Sequence, residues 1–360
     1  MYSLEEQICI MLGNSDVSAK KFYRLLDHCG EVKNIIEKLD TLDCKKILGE
    51  SYAEVCKTVR KGFNALLSQM QSHNIVVTTV FSDYFPNSLR EISDPPYVLF
   101  CRGNVNLLDS RCLSVVGTRK ASVYGRRVAK DFVKVLCENF TIVSGLAYGI
   151  DSVAHETTLE NDGFTIAVLG GGIVDVYPST NQGLANRIVE NGGLIISEYG
   201  LFCTPDAYRF PHRNRLVAGL SSGVLVCQAP NKSGTMSTIE LALDQGKDVF
   251  VVPGEIYDTG YAGSNHLIKS MQAACVTTPR DIIDYYRLDA KDKDKISYQP
   301  SFDEMKVIDA LSNGSLSFDQ IVFQTKLDVS DLSFLLANLE LKSIIARLPG
   351  NFYRLYGGLE

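Results

Sequence analysis

A short polar loop at residues 231–235 holds the side chains of this sequence best suited to bind an anion. It reads Asn-Lys-Ser-Gly-Thr, so a lysine, two hydroxyls and a glycine lie together. A Val-rich run at 223–227 precedes it, and residues 237–246 follow with apolar side chains at helical spacing. Free backbone N–H groups and the helix dipole favour a phosphate where a helix begins. The candidate phosphate-binding residues here are Lys232, Ser233, Gly234 and Thr235.

Residues 213–215, earlier in the sequence than that loop, carry the next candidate groups. Arg213 and Arg215 flank Asn214 in the sequence HRNRL, a polar stretch that we interpret as a loop. Guanidinium and amide N–H groups can donate to the oxygens of an anion. The alternative is that both arginines pair with acidic neighbours. We include all three residues in the predicted anion site.

Turns after other predicted strands supply the remaining candidates. Gly117, Thr118 and Arg119 follow a strand predicted over 113–116. An arginine directly after such a strand points towards the crevice in which α/β proteins bind ligands. An ordinary solvated surface arginine is the alternative. The other turn residues that we place in the predicted site are Ser122, Gly145 and Gly171.

The composition is that of a globular protein whose basic surface would have to be local. Of 360 residues, 45% are hydrophobic and 22% are charged, and the formal net charge is −6, so a polyanion would bind a confined patch. The ten cysteines are scattered without a C-x-x-C pair, which favours buried thiols in a reducing cytoplasm over disulfides or zinc ligands. Apolar stretches of about 18 residues and a basic N-terminal start are both absent, so we expect neither a membrane span nor a signal peptide.

Short apolar runs alternate with helical patterns from residue 111 onward. Such alternation predicts an extended Rossmann-like α/β fold with a doubly wound, mostly parallel sheet. Ligands of these sheets bind outside the carboxyl ends of the strands, where the glycine-rich turns converge. The predicted strands cover 113–116, 141–143, 164–169, 194–197, 223–227, 249–252 and 274–276.

The regions before and after this sheet have a different pattern. Residues 1–70 show short helical periods and predict a small helical domain, of a kind that can hold a DNA-binding helix-hairpin-helix. Its hairpin has a single glycine, Gly13, so we favour packing or partner docking. Residues 71–288 form the predicted sheet domain and 289–300 a charged linker. Residues 301–360 read as three helices and a β-hairpin, which is the pattern of a winged helix.

The predicted winged helix lacks the charge that a DNA-reading helix needs. Winged helices usually place their third helix in the major groove. Here that helix, VSDLSFLLANLEL, contains Asp331 and Glu340 and no lysine or arginine, and residues 301–360 hold eight acidic and five basic residues. Duplex binding would be opposed electrostatically. We therefore expect this region to contact protein.

Motifs that would indicate catalysis or a cofactor are incomplete. The three glycines at 170–172 lack the G-x-G-x-x-G spacing of a dinucleotide site, because Asp175 stands where the third glycine should be. The loop at 231–235 is not a Walker A motif. His155 and His212 have no serine or cysteine partner at a recognisable triad spacing. We expect no catalytic residue, no cofactor and no metal site.

Several longer motifs carry a family resemblance. They run from about Tyr84 to Asp281 and include VVGTRKASVYG, IVSGLAYGIDSVAH, FPHRNRLVAGLSSGVLV and SGTMST. The chain resembles the DNA processing protein A family (DprA, also called Smf). That resemblance implies a non-enzymatic protein that binds single-stranded DNA, loads the RecA recombinase onto it and protects incoming DNA in natural transformation. We expect a cytoplasmic homodimer.

The resemblance also implies roles for the candidate residues. Arg213 and Arg215 would contribute positive charge beside a single DNA pocket. The residues that would contact the DNA backbone in that pocket are Gly117, Arg119, Lys232, Ser233, Gly234 and Thr235.

One class of enzyme with a similar sheet remains the alternative. Lysine-decarboxylase-like nucleotide hydrolases act on nucleoside monophosphates and use a P-G-G-x-G-T-x-x-E motif, whose glutamate works at the glycosidic bond. In this chain Thr238 stands three residues after Thr235, and Glu240 comes two positions late. On a helix that shift turns the carboxylate by about 200°, away from the predicted pocket.

Overall fold

The computed structural model of the chain describes residues 2–288, 302–312, 314–341, 345–348 and 350–355. They belong to two compact units, Met1–Lys291 and Asp292–Glu360. The linker predicted at 289–300 lies outside the described residues.

A nine-stranded sheet organises the first unit. Its strands are β1 (Val76–Thr79), β2 (Val98–Gly103), β3 (Cys112–Gly117), β4 (Thr141–Ser144), β5 (Thr165–Val168), β6 (Leu194–Ser197), β7 (Gly223–Gln228), β8 (Asp248–Val251) and β9 (Ala274–Cys275). They lie in the order β1-β2-β6-β5-β4-β3-β7-β8-β9. The pairs β1–β2 and β2–β6 are antiparallel, and the other pairs are parallel. The predicted Rossmann-like, mostly parallel sheet is confirmed.

Helices precede the sheet and connect its strands. The first six are α1 (Leu4–Asn14), α2 (Ala19–Cys29), α3 (Lys33–Glu37), α4 (Leu42–Leu48), α5 (Tyr52–Lys61) and α6 (Phe63–Ser72). Those that follow are α7 (Asn87–Arg90), α8 (Val123–Leu136), α9 (Ile150–Glu160), α10 (Gln182–Glu190), α11 (Arg209–Leu220), α12 (Gly234–Asp244), α13 (Ala262–Lys269) and α14 (Pro279–Tyr285).

The chain reverses its direction of travel across the sheet at β3. From β3 it proceeds through β4, β5 and β6 on one side, and then crosses to β7 on the other. Ser114 of β3 lies opposite Val143 of β4 and Val224 of β7, so the central strands are in close register. Loops from β3 and β7 leave the sheet at a topological switch point, where doubly wound proteins bind ligands.

The N-terminal helices share a buried hydrophobic cluster with the sheet. Phe22 of α2 stacks on Tyr97 with ring centroids 4.0 Å apart, and Ile8 of α1 belongs to the same cluster as Phe100 of β2. Burial of this apolar surface stabilises the contact between helices and sheet. The division predicted at residue 70 therefore falls within one compact unit.

Two features of the first unit correct the sequence interpretation. The stretch around Asn214, which we interpreted as a loop, is the helix α11. Pro211 is compatible with it because proline is tolerated in a first helical turn, and the polar residues mislead because Arg213 and Arg215 are buried. In addition, α12 begins at Gly234, three residues earlier than the predicted 237.

The second unit has the elements of a winged helix. They are α15 (Phe302–Leu311), β10 (Leu316–Ser317), α16 (Phe318–Thr325), α17 (Val329–Leu341), β11 (Ile345–Leu348) and β12 (Phe352–Leu355). The three strands form an antiparallel sheet, and Val307, Leu332 and Leu336 lie in the buried core of the helices. The predicted winged helix is confirmed. No helix within the described ranges is both long and apolar enough to span a bilayer.

Candidate functional site

A cavity of about 700 Å³ lies at the carboxyl ends of β3, β4 and β7, at the switch point. We call it the carboxyl-edge cavity. Of the thirteen residues predicted for the anion site, ten line it: Gly117, Thr118, Arg119, Gly145, Arg213, Asn214, Lys232, Ser233, Gly234 and Thr235.

The turn after β3 forms one wall of the carboxyl-edge cavity. A Cβ on Gly117 would lie 2.5 Å from Cγ1 of Ile150, so the chain can pass this close to α9 only as glycine. The backbone N–H of Thr118 donates to the carbonyl oxygen of Gln228 at 2.9 Å, which ties this turn to the end of β7. Arg119 then projects into solvent, with its guanidinium carbon 5.6 Å from the ring centre of Phe210.

The start of α12 forms the opposite wall. Ser233 precedes the helix, and no side chain caps the N–H groups of the first turn. The Ser233 hydroxyl instead donates to the carbonyl oxygen of Pro230 at 3.1 Å. Uncapped N–H groups and the positive end of the helix dipole face this side of the cavity. Lys232 is exposed beside them and has no carboxylate within 4.0 Å among the described residues.

Arg213 forms the floor of the carboxyl-edge cavity. Its side chain is buried, and Nη1 donates to the carbonyl oxygen of Gly145 at 2.7 Å and also to that of Val168. Burial lowers the pKa of the Arg213 guanidinium to about 10, while the nearby Asp151 carboxylate opposes that change. Arg213 therefore stays charged at neutral pH and holds the ends of β4 and β5 together from below.

Asp151 was not among the predicted site residues. Its Oδ2 accepts hydrogen bonds from the backbone N–H groups of Gly145 at 3.2 Å and Ala147 at 3.4 Å, and it lines the cavity beside Arg213. Burial raises the pKa of this carboxyl, although Arg213 and the two N–H groups oppose the increase. Asp151 shapes the turn after β4 and partly balances the buried guanidinium charge.

Aromatic side chains beside the cavity were also missed. The rings of Tyr177 and Phe210 line it with their centres 5.5 Å apart, and Tyr177 is half exposed. Tyr177 lies in a loop and Phe210 in the first turn of α11, and no spacing pattern marks either ring. The cavity thus combines cationic donors with flat apolar surfaces.

Three predicted residues lie outside the cavity lining. Ser122 caps α8, where its Oγ accepts from the N–H of Gly125 at 3.0 Å. Gly171 packs against Pro205, one layer behind the cavity. Arg215 is 5% exposed and donates through Nη1 and Nη2 to the two carboxylate oxygens of Glu198, at 2.8 and 2.6 Å. Arg215 therefore follows the alternative, a pairing with an acidic neighbour.

His212 completes a partly buried charge cluster with Arg215. The His212 ring contacts Asp94 through Nε2 at 3.0 Å and Glu198 through Nδ1 at 3.1 Å. The hydrogen bonds to Asp94 and then to Glu198 raise the pKa of His212 to about 9, although burial opposes the increase. A protonated imidazole can donate from both nitrogens, so this ring bridges the two carboxylates as a cation.

Both a metal ion and the alternative hydrolase would need particular groups among the described residues. Across the described ranges, no group of three or more His, Cys, Asp or Glu side chains could hold a metal ion. Glu240 is exposed on α12 and does not line the carboxyl-edge cavity. The glutamate of that hydrolase motif therefore has no counterpart at the position of Glu240 in this cavity.

Comparison with protein-family models decides the family. Residues 76–287 match the model described as DNA recombination-mediator protein A, and residues 292–351 match the DprA winged helix domain. The chain belongs to the DNA recombination-mediator protein A family. The family match covers every element that lines the carboxyl-edge cavity and confirms the resemblance seen in the sequence motifs.

Relatives with solved structures or curated names agree with this family. Protein Smf of Escherichia coli is 36% identical over 306 residues, which cover 82% of each chain. The structure of DNA processing protein A from Streptococcus pneumoniae aligns with a TM-score of 0.64 and 35% identity, over 76% of this chain and 95% of that one. DNA processing protein A from Helicobacter pylori, solved to study its single-stranded DNA binding mode, aligns with a TM-score of 0.54 and 32% identity, over 59% of this chain and 95% of that one.

Proposed function

We propose that this family member binds single-stranded DNA in the carboxyl-edge cavity. The observation that carries the proposal is that Arg119, Lys232 and the uncapped start of α12 converge on one cavity at the switch point. These groups suit phosphate oxygens because two are cations and the third offers free N–H groups at a helix N-terminus.

A single strand fits this arrangement better than a duplex. Its backbone is flexible enough to bend a phosphate into the cavity, and its unpaired bases can contact aromatic faces. Tyr177 and Phe210 offer such faces beside the phosphate donors. A duplex keeps its bases stacked inside and would have to approach an acidic protein, with a net charge of −6, as a stiff rod.

Fluorescence anisotropy with labelled single and double strands of one sequence tests this proposal. Across a salt series, we expect the single strand to bind more tightly than the double strand at every salt concentration. The affinity should fall as the salt concentration rises, because binding releases counterions from the phosphates. Equal affinity for both forms at moderate salt would contradict the proposal.

We further propose that the bound strand is protected and that RecA is loaded onto it during DNA uptake and recombination, by a cytoplasmic homodimer. Family membership supports this proposal. Its test is the rate at which RecA assembles on single-stranded DNA. We expect the wild-type chain to raise that rate and an Arg119→Ala/Lys232→Ala variant to have a much smaller effect. Light scattering of the isolated chain should give twice the mass of 39.7 kDa.

A further inference from the structure

The exposed face of α8 carries an unusual run of positive charge. Four cations lie on this helix, and Asp131 is its single carboxylate. All four cationic side chains are exposed: Arg126, Arg127, Lys130 and Lys134.

Helical geometry places these cations on one side. At 100° per residue, the four positions fall within an arc of about 100°. The opposite side of α8 is apolar and buried, through Val128, Phe132 and Leu136 among others. An amphipathic helix explains why charged residues face solvent, but it does not explain why they share one sign. Solvated helices gain stability from mixed charges at this spacing and lose it from like charges.

Few of these charges are neutralised within the first unit. Arg127 lies 3.6 Å from Asp131, with both side chains mostly exposed. Arg126, Lys130 and Lys134 have no carboxylate within 4.0 Å in the described part of the chain. Residues 119–136 hold six cations and one carboxylate, a net charge of +5 in a chain whose net charge is −6. The concentration of positive charge is therefore local, as an anion-binding surface requires.

The charged face continues from the wall of the carboxyl-edge cavity. Thr118 and Arg119 line the cavity, Lys120 is exposed next to them, and Ser122 caps the helix directly afterwards. At 1.5 Å per residue, Lys134 lies about 18 Å along the axis from Ser122. From the cavity to the second turn of α8 the cations are not interrupted by a carboxylate. Asp131 comes next, and Lys134 follows it.

We propose that this face of α8 is a second contact for the backbone of single-stranded DNA, along which the strand runs after it leaves the carboxyl-edge cavity. The inference rests on the proposed function, since it extends the DNA path. Continuity with the cavity favours this ligand over a separate acidic protein or lipid surface. The contact carries no base information, because it is made by flexible cations to phosphates.

An Arg126→Ala/Lys130→Ala/Lys134→Ala variant tests the inference, because alanine preserves the helix. Two strands are compared: one of about 3 nucleotides, which the cavity can hold, and one of about 25, which can also reach α8. On the long strand we expect a salt slope shallower by about 2, since each lost contact removes about 0.7, and hence a loss of about 100-fold near 0.1 M salt relative to 1 M. On the short strand, affinity at low salt should be unchanged.

A matched variant controls for net charge. Lys20→Ala/Lys46→Ala/Lys61→Ala removes the same charge from exposed positions on α2, α4 and α5 and should leave both strands and both slopes as in the wild type. An unchanged long-strand slope in the α8 variant, or an equal loss in the control, would overturn the inference. If Lys232→Ala still weakens short-strand binding in that case, the cavity assignment stands alone. If the wild type binds neither strand, both proposals fall.

Discussion

Arg213 and Arg215 lie two residues apart on α11 and act on opposite sides of it. The Arg213 guanidinium lies under the carboxyl-edge cavity and donates to the carbonyl of Gly145. The Arg215 guanidinium points the other way and binds both oxygens of Glu198. Two residues correspond to about 200° on a helix, which accounts for this division. One helix therefore supplies positive charge to the cavity while its other side is anchored to the end of β6.

Removal of Arg215 should destabilise the fold without changing DNA contacts. In Arg215→Ala the buried Glu198 carboxylate loses its bidentate partner and keeps only His212, and breaking a buried ion pair costs about 3–5 kcal/mol. Urea unfolding measures this loss. The protein that remains folded should bind single-stranded DNA as the wild type does. An Arg215→Met/Glu198→Gln double variant removes both charges and should recover part of the stability, whereas a DNA-contact role for Arg215 predicts normal stability and weaker binding.

Arg119 and Lys232 should show the opposite pattern. Both are exposed at the rim, so replacing either with alanine leaves no buried group unpaired and should change the melting temperature little. Affinity for single strands of any sequence should fall alike, because phosphate contacts carry no base information. The slope of log affinity against log salt should become shallower by about 0.7 per variant.

Arg111 offers a control on the same strand. It is exposed just before β3, at the amino end, whereas Arg119 follows the carboxyl end. Arg111→Ala removes an equal charge far from the cavity and should leave the salt slope unchanged. A slope in Arg119→Ala that matches the wild type, or a matching decrease in Arg111→Ala, would contradict the assignment of Arg119 to the cavity.

Sequence patterns predict the residues of this site that lie in turns directly after strands. They do not predict the side-chain pairs that join residues far apart in the chain. Gly117 and Lys232 each follow a Val-rich strand, and parallel strands bring such turns to one edge. The partners of Arg215, by contrast, are Asp94 and Glu198, which lie 121 and 17 residues away along the chain. Local spacing contains no information about such pairs.

The same limit explains the misread helix. A run of charged residues reads as a solvated loop when its partners are unknown. In α11 the two arginines bond to the buried Glu198 carboxylate and to backbone carbonyls, which satisfies their charges inside the fold and lets Leu216 and Val217 pack against the sheet. Asp151 was missed for a related reason, because its charge partner, Arg213, lies 62 residues away along the chain.

His212 should make stability fall as pH rises above neutral. Its pKa is raised from 6.5 to about 9 by Asp94 and Glu198, so the folded protein holds this proton more tightly than the unfolded chain. The contribution is complete below pH 6.5 and disappears as pH rises through about 9. Because the ring is about one third exposed, we expect only about 1–2 kcal/mol after solvent screening.

Urea unfolding at several pH values between 6 and 10 measures this effect. The His212→Gln variant should lack the decrease that the wild type shows across that window. His28→Gln changes an exposed histidine at the end of α2 and should retain the decrease. Parallel profiles for wild type and His212→Gln would show that the imidazolium bridge does not contribute to stability.

Removal of the second unit should leave single-strand binding within a few-fold of the wild-type affinity. The first unit, Met1–Lys291, contains the whole carboxyl-edge cavity and its own hydrophobic clusters, so a chain that ends at residue 291 should fold. The third helix, α17, is the one with which a winged helix usually reads DNA. It carries Asp331 and Glu340 and no lysine or arginine, so its loss removes no positive charge that could attract a polyanion. Anisotropy titrations of the full and shortened chains on the same single strand measure the difference.

A loss of about 100-fold, which is about 2.7 kcal/mol, would show that the winged helix holds DNA through groups other than its third helix. A duplex titration in parallel should likewise show no loss, because a protein-contact role for the second unit predicts that neither form of DNA depends on it.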